Sequence, residues 1–424
     1  PTPAPDSAPA FGPAADWEEE WERQAGARAR RRRLALAAVG VVAILGLLGG
    51  ALAILLRGDD GTSGSGAQPD PTEPSDPTGS ADLATTVEEI SAFVEEARGL
   101  EFREPVDVEL AAGEEFEQRL LEDFDEDVEE LEATGTLLTA FGLIDPSVDV
   151  VEAMRSLLGG GVVGFYDPET EELVVRGDDV TPYVRTTIAH ELVHALDDQH
   201  FELHRPEYDD APDEVGFGLS AVAEGDARRI EDAYRATMSD AELAEARREE
   251  LALAAGLDIT SVPLVLVQLL QSQYDDGQRF VESILDAGGQ EALDRAFEDP
   301  PRTSEQVLDP DRYLEGEGRM QVPHPEPDGE VVDEGVVGQQ LIQLVLIGAA
   351  EPDDAALAAD GWGGDWSVVW RDGDRSCATM TVVGDTADDT EELREAFAQW
   401  AEEQDDATVS RGPEGTVTVE ACAG

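Results

Sequence analysis

Lysine is absent from this 424-residue chain: all 28 basic residues are arginine, set against 96 acidic ones, for a formal net charge of −68. Such a chain repels polyanions, so nucleic acid is excluded as a partner. Cysteine is scarce, two in all, which excludes a disulfide-dense scaffold and argues against a thiolate metal site. No repeat at a fixed period is visible, which excludes solenoids and propellers. Aromatic residues make up only 6% and histidine numbers five, yet 41% of the chain is apolar, enough for a core. The plain meaning of the acid excess is a solvated surface. Its lysine-free form fits either a GC-rich coding sequence or life in brine, where salt screens the self-repulsion of a polyacid.

Long hydrophobic runs are absent with one exception. Residues 34–56 are 23 uncharged, mostly apolar positions, which as a helix would span roughly 34 Å, enough to cross a bilayer. Arg28 and Arg30 to Arg33 precede the run and only Arg57 closely follows. The positive-inside rule therefore places residues 1–33 in the cytoplasm as a tail and everything after the span outside the cell membrane. A cleaved signal peptide is disfavoured by the length of the run and of its leader, and by Gly58-Asp59-Asp60 where small residues should follow. Gly46 and Gly50 form a GxxxG pair that would support a homodimer through the span. Residues 57–81, rich in Gly, Ser, Pro and Asp, read as a disordered linker.

Beyond the linker the patterning turns globular, and the expected class is α+β: a mainly helical domain over 82–325 and a small C-terminal α+β module over 330–424. Helices are expected over 86–100, over 114–143 with a break near Gly135, over 151–158, over 263–270 and over 280–297. Gly159, Gly160 and Gly161 should release the chain into a β-hairpin, Val162 to Tyr166 and Leu173 to Val175. Residues 323–335 read as a boundary or long loop. The module should hold helices over 336–348 and 390–404 and strands over 367–370, 378–383, 408–411 and 416–421. Cys377 and Cys422 lie at its strand ends in an external compartment, where a disulfide between them is expected.

The chemistry concentrates on one helix. Thr181 is an N-cap with Pro182 at the first helical position, and Val184, Ile188, Leu192 and Leu196 follow at four-residue steps. On the adjoining arc lie Tyr183, Thr187, His190, Glu191, His194 and Asp198. His190-Glu191-Leu192-Val193-His194 is the H-E-x-x-H pattern, in which two imidazoles one turn apart bind a Zn²⁺ ion and the carboxylate between them takes a proton from bound water. Four of the five histidines (His190, His194, His200, His204) fall within fifteen residues.

The segment AHELVHALDDQHF (Ala189 to Phe201), followed by AVAEGDA (Ala221 to Ala227), resembles the active-site region of zincin metallopeptidases of the gluzincin branch. It is similar in particular to a group of membrane-anchored bacterial and archaeal metallopeptidases. GVVGFYDPET before the helix, PPRTSEQVLDPDRY (Pro300 to Tyr313) and GWGGDW (Gly361 to Trp366) extend the likeness over about residues 83–370. The resemblance implies an extracytoplasmic zinc-dependent peptidase, a polypeptide substrate laid along the hairpin edge at Phe165-Tyr166, and a third zinc ligand contributed by a Glu of a following helix.

A catalytic zinc needs that third ligand. Glu224 is favoured, because the small residues around it let a second helix come close. His200 completes a metzincin spacing, but Asp197 stands where that pattern needs a break, and Glu305 reads instead as a helix-start cap. Asp198 and Asp226 are candidates to orient the zinc-bound histidines. Tyr183, Tyr234 and His204 remain open as oxyanion donors. Two other functions compete with the peptidase: a catalytically inactive binding or scaffold module, and a zinc hydrolase acting on something other than peptides.

The charge generates a prediction. If the composition is a halophilic adaptation, thermal melts across a NaCl series should show the melting temperature rising from dilute to molar salt; a flat or falling trend leaves codon bias as the source.

Overall fold

The computed structural model describes residues 78–122, 124, 128–209, 211–256 and 262–424. The transmembrane helix expected over 34–56 is corrected, and with it the single-pass cell-membrane location. No helix among the described residues is long and apolar enough to cross a membrane. The run 34–56 itself, with Gly46 and Gly50, lies outside the described residues. Among the described residues the architecture is α+β, and the first described helix begins inside the stretch expected as linker.

That helix, α1 (Thr78–Arg98), leads to β1 (Val108–Ala111), α2 (Glu114–Leu120), α3 (Val128–Ala140) and α4 (Val150–Gly161). The expected break at Gly135 is absent. Gly135 lies within α3, where an added Cβ would come 3.0 Å from Val150 Cγ2, so the glycine serves close packing on α4. Helix α4 takes in Gly159 and Gly160 and ends on Gly161, three residues later than expected, and Asp149 caps its start by accepting from the Glu152 amide at 3.0 Å.

The strands β2 (Gly164–Asp167) and β3 (Glu172–Arg176) pair antiparallel, as the hairpin pattern predicts. They belong to a three-stranded sheet of order β1-β3-β2, with β1 running parallel to β3 and β2 on the edge. Helix α5 (Pro182–Phe201) crosses this sheet. Thr181 Oγ1 accepts from the Val184 amide at 3.2 Å, and the helix ends on Glu202 in the left-handed conformation (φ 56°). Asp198 Oδ1 secures that turn by accepting from the Leu203 amide at 2.7 Å. After α6 (Pro206–Asp209) come α7 (Val215–Arg235), α8 (Asp240–Ala254) and α9 (Leu264–Gly288). The two helices expected over 263–270 and 280–297 are α9, continuous, and α10 (Gln290–Glu298), divided at Gly289, which has φ of 65°.

Helices α7 and α9 meet at backbone distance. A Cβ on Gly225 would lie 2.3 Å from the Gly277 carbonyl, and one on Gly277 would lie 2.2 Å from the Ala221 oxygen. Glycine at both positions is therefore dictated by the contact, which outweighs the roughly 1 kcal/mol that mid-helix glycine costs. The small residues around Glu224 were expected to admit the metal helix. Gly225 instead admits α9.

Short helices α11 (Ser304–Leu308) and α12 (Pro310–Glu315) lead to the C-terminal part: β4 (Glu330–Gly335), α13 (Gly338–Ile347), α14 (Pro352–Asp360), β5 (Trp362–Asp372), β6 (Arg375–Gly384), α15 (Ala387–Glu402), β7 (Ala407–Arg411) and β8 (Val417–Ala423). Its antiparallel sheet has the order β4-β5-β6-β8-β7. Strand β4 occupies part of the expected boundary loop. Cys377 and Cys422 face each other across β6 and β8 and form a disulfide. The core of this part is shared with the front of the chain: Leu138 and Phe141 belong to one apolar cluster with Trp362, Phe397 and Trp400.

Candidate metal centre

Two helices bring the donors together. On α5, His190 and His194 stand one turn apart with ring centroids 4.9 Å apart. On α7, Glu224 projects its carboxylate between them. Glu224 Oε2 lies 3.2 Å from His190 Nε2 and 3.5 Å from His194 Nε2. Among the described residues, His190, His194 and Glu224 are the one group of three or more His, Cys, Asp or Glu whose ligand atoms all lie within 4.8 Å of one another. This buried triad can hold a metal ion. The α5–α7 interface that creates it is apolar: Ile188, Leu192, Ala195 and Leu196 pack with Ala227 and Ile230, all 0% exposed.

Glu191 adjoins the triad and is equally buried, with no side-chain hydrogen bond to either carboxylate oxygen; the Tyr166 backbone is its one polar neighbour on β2. Burial, with the nearby Glu224 and Glu231 carboxylates, pushes its pKa well above the ordinary range and outweighs the pull of His190. Strand β2 runs directly beside it. A Cβ on Gly164 would lie 3.0 Å from Glu191 Oε1 and 2.5 Å from Thr187 Cγ2, so only glycine lets the strand pass this close.

The carboxylate that orients His190 is one that sequence reasoning missed. Glu231 Oε2 stands 3.2 Å from His190 Nδ1, and Arg235 holds the other Glu231 oxygen at 3.1 Å while Arg228 approaches at 3.6 Å. Glu231 follows Glu224 by seven residues, two helical turns on the same face, and that spacing was the available signal. Tyr274 on α9 is the second omission: its hydroxyl donates to Glu224 and its ring centroid lies 6.3 Å from that of His190. Nothing near Tyr274 in sequence announced it, because the glycine contact between α7 and α9 places it.

Burial alone would depress the His190 pKa, but its bonds to Glu224 and Glu231 prevail and raise it to about 10. Burial likewise opposes the charge on Glu224, yet the two histidines hold it at about 2, and His190 with Arg228 does the same for Glu231. His190 thus stands between two carboxylates that favour positive charge on it, and a metal ion held by the triad would supply such charge in place of a proton.

The remaining candidates fall elsewhere. Asp198 accepts from the Tyr166 hydroxyl at 2.8 Å and caps α5, contacting neither histidine. Asp226 pairs with Arg98 and Arg229. Helix α5 continues through Asp197, so His200 points away and its Nε2 meets the Glu101 carbonyl at 2.9 Å. Glu305 pairs with Arg312 at 3.2 Å at the start of α11, where Thr303 supplies the cap by accepting from the Gln306 amide. Tyr183 is buried against Val163 and Ala246, the Tyr234 hydroxyl accepts from Arg185 Nε at 3.1 Å, and His204 is exposed. None of these three belongs to the triad.

Over residues 326–423 the chain matches the model of a domain of unknown function (DUF8575). The match takes in β4 to β8 and leaves the triad outside. No curated protein and no solved structure matches the chain.

The geometry predicts that Glu224→Ala weakens metal binding by at least tenfold, whereas His200→Ala leaves it within about twofold of the parent. Competition with a chelator, run side by side on the two variants, checks it; normal metal content in Glu224→Ala contradicts the assignment.

Proposed function

We propose that the chain is a zinc-dependent peptidase of gluzincin type, with His190, His194 and Glu224 as metal ligands and Glu191 as general base. The observation that carries this reading is the Glu191 carboxyl, buried beside the triad with no ion-pair or side-chain hydrogen-bond partner. A purely structural metal site has no use for such a group. Two imidazole nitrogens and one carboxylate oxygen suit zinc, and three protein ligands are the number that catalytic sites use. Zinc held there supplies a Lewis acid and an acidified water.

With such an ion bound, Glu191 would be the group placed to accept a proton from water and pass it to the leaving amine. The Glu231 carboxylate fixes the His190 tautomer by holding Nδ1–H, which leaves Nε2 free to bind metal. Tyr274, whose hydroxyl already reaches Glu224, is the donor best placed to stabilise an oxyanion, in preference to Tyr183, Tyr234 or His204. The edge position of β2, beside Glu191, favours an extended polypeptide as substrate through main-chain pairing.

The triad is sealed: no member exceeds 1% exposure. Substrate entry therefore requires a cover to part. Helix α8 is the element best suited, because it rests on Tyr183 and on Val163, just ahead of β2, through a small cluster around Ala246. The Arg185–Glu242 pair adds a tie at 3.1 Å. Complete burial also supports a second reading, a metal-stabilised module without turnover.

One assay on an unfolded polypeptide separates the two. The parent should hydrolyse it in a chelator-sensitive way, Glu191→Gln should keep the metal and lose at least 99% of the rate, and Ala246→Arg should raise the rate several-fold by displacing α8. Unchanged turnover in Glu191→Gln contradicts the mechanism. Metal binding without turnover in both the parent and Ala246→Arg favours the inactive module.

A further inference from the structure

Arg98, the last residue of α1, is fully buried although its helix supplies no ligand to the triad. Its Nε lies 2.8 Å from Asp197 Oδ1 and 2.7 Å from Asp226 Oδ2, and its Nη1 lies 2.9 Å from Asp294 Oδ1 on α10. The side chains of Arg98, Asp197 and Asp226 are all 0% exposed. Phe201 and Phe297 close over the guanidinium, each ring centroid 5.4 Å from its central carbon. Water is thereby kept from a group that has five donors to satisfy.

The two buried partners are not arbitrary. Asp197 follows His194 by three residues on α5, and Asp226 follows Glu224 by two on α7. One planar cation therefore ties together the two helices whose spacing sets the distance from His194 to Glu224. Hydrophobic contact between α5 and α7 is non-directional and tolerates small sliding, whereas the Arg98 Nε–H hydrogen bond to Asp197 is directional and the same charge draws in Asp226 at 2.7 Å. Asp226 has a second partner in Arg229, whose Nε lies 3.0 Å from Oδ1, and Asp294 is partly solvated. Asp197 has no other ion pair among the described residues, so the α5 limb of the clamp depends on Arg98 alone.

We infer that Arg98 is a positioning residue of the metal centre, holding α5 and α7 in the register that lets His190, His194 and Glu224 converge on one ion. The inference rests on the metal-binding reading of the triad. It makes α1, the first described helix, part of that centre, although α1 lies more than ninety residues ahead of His190 at its Arg98 end.

The test uses the full chain with Co²⁺ as probe, because cobalt reports ligand geometry through its visible absorption independently of peptidase activity. Removing Arg98 alone would strand a buried carboxylate and endanger folding. The double variant Arg98→Met with Asp197→Asn removes both members of the α5 limb, while Asp226 keeps Arg229. The metal-free double variant should melt cooperatively, bind Co²⁺ at least tenfold more weakly than the parent, and show a changed visible spectrum. If it does not fold, Arg98→Lys keeps the charge but loses the planar group whose Nε and Nη1 reach three aspartates, and should show a several-fold loss of affinity with an altered spectrum. A folded variant of either kind with parental affinity and a superposable spectrum overturns the inference. A parent that binds no Co²⁺ overturns the metal reading first, which distinguishes the two failures.

Discussion

A single carboxylate oxygen, Glu224 Oε2, shared between two imidazoles in a site closed to water, is the constraint around which the structure is arranged. Charges buried this deeply cost several kcal/mol each unless they are matched. Glu224 and Glu231 flank His190, with Arg228 and Arg235 behind Glu231, so the centre is a layered sequence of opposite charges. Such a stack survives only if its helices cannot slide. Backbone contact at Gly225 and Gly277 locks α7 to α9, and the apolar face of α5 locks it to α7. The capping of α5 at Thr181 and Glu202 sets how far the metal helix extends.

The same packing explains why one face of the molecule carries the chemistry. Strand β2 is an edge strand whose Gly164 allows the backbone past Glu191, and α8 packs on Val163 and Tyr183 through a small apolar cluster. The C-terminal sheet contributes no member to the triad, but it shares a core with α3, so its role includes supporting the front of the molecule.

Much of this centre was legible in the chain. The spacing of His190, Glu191 and His194, the Thr181-Pro182 start and the four-residue apolar step are local features, and local features survive into the fold. Glu224 was found from small residues, though Gly225 serves α9 and the convergence on the histidines comes from the apolar α5–α7 interface. What escaped is tertiary. Glu231 carried a seven-residue signal that went unused, whereas Tyr274 and Arg98 come from helices distant in sequence, and no periodicity links them to His190. Asp198 and Asp226 stand close to the triad in sequence but are drawn to Tyr166 and to Arg98, because an acid-rich chain offers its few cations and donors to whichever carboxylate geometry favours. Gly135 and Gly159 to Gly161 read as helix breakers and are helical, since propensity yields to packing worth more than about 1 kcal/mol. The apolar run 34–56 raised an expectation of a membrane span that no described helix fulfils.

The most direct test of the central claim is zinc K-edge absorption on the purified, zinc-loaded chain at one equivalent of metal. A first shell of two imidazole nitrogens at about 2.0–2.1 Å with carboxylate and water oxygens at about 2.0–2.2 Å is the predicted result. A shell of oxygens alone, or failure to retain zinc through gel filtration, would contradict the account.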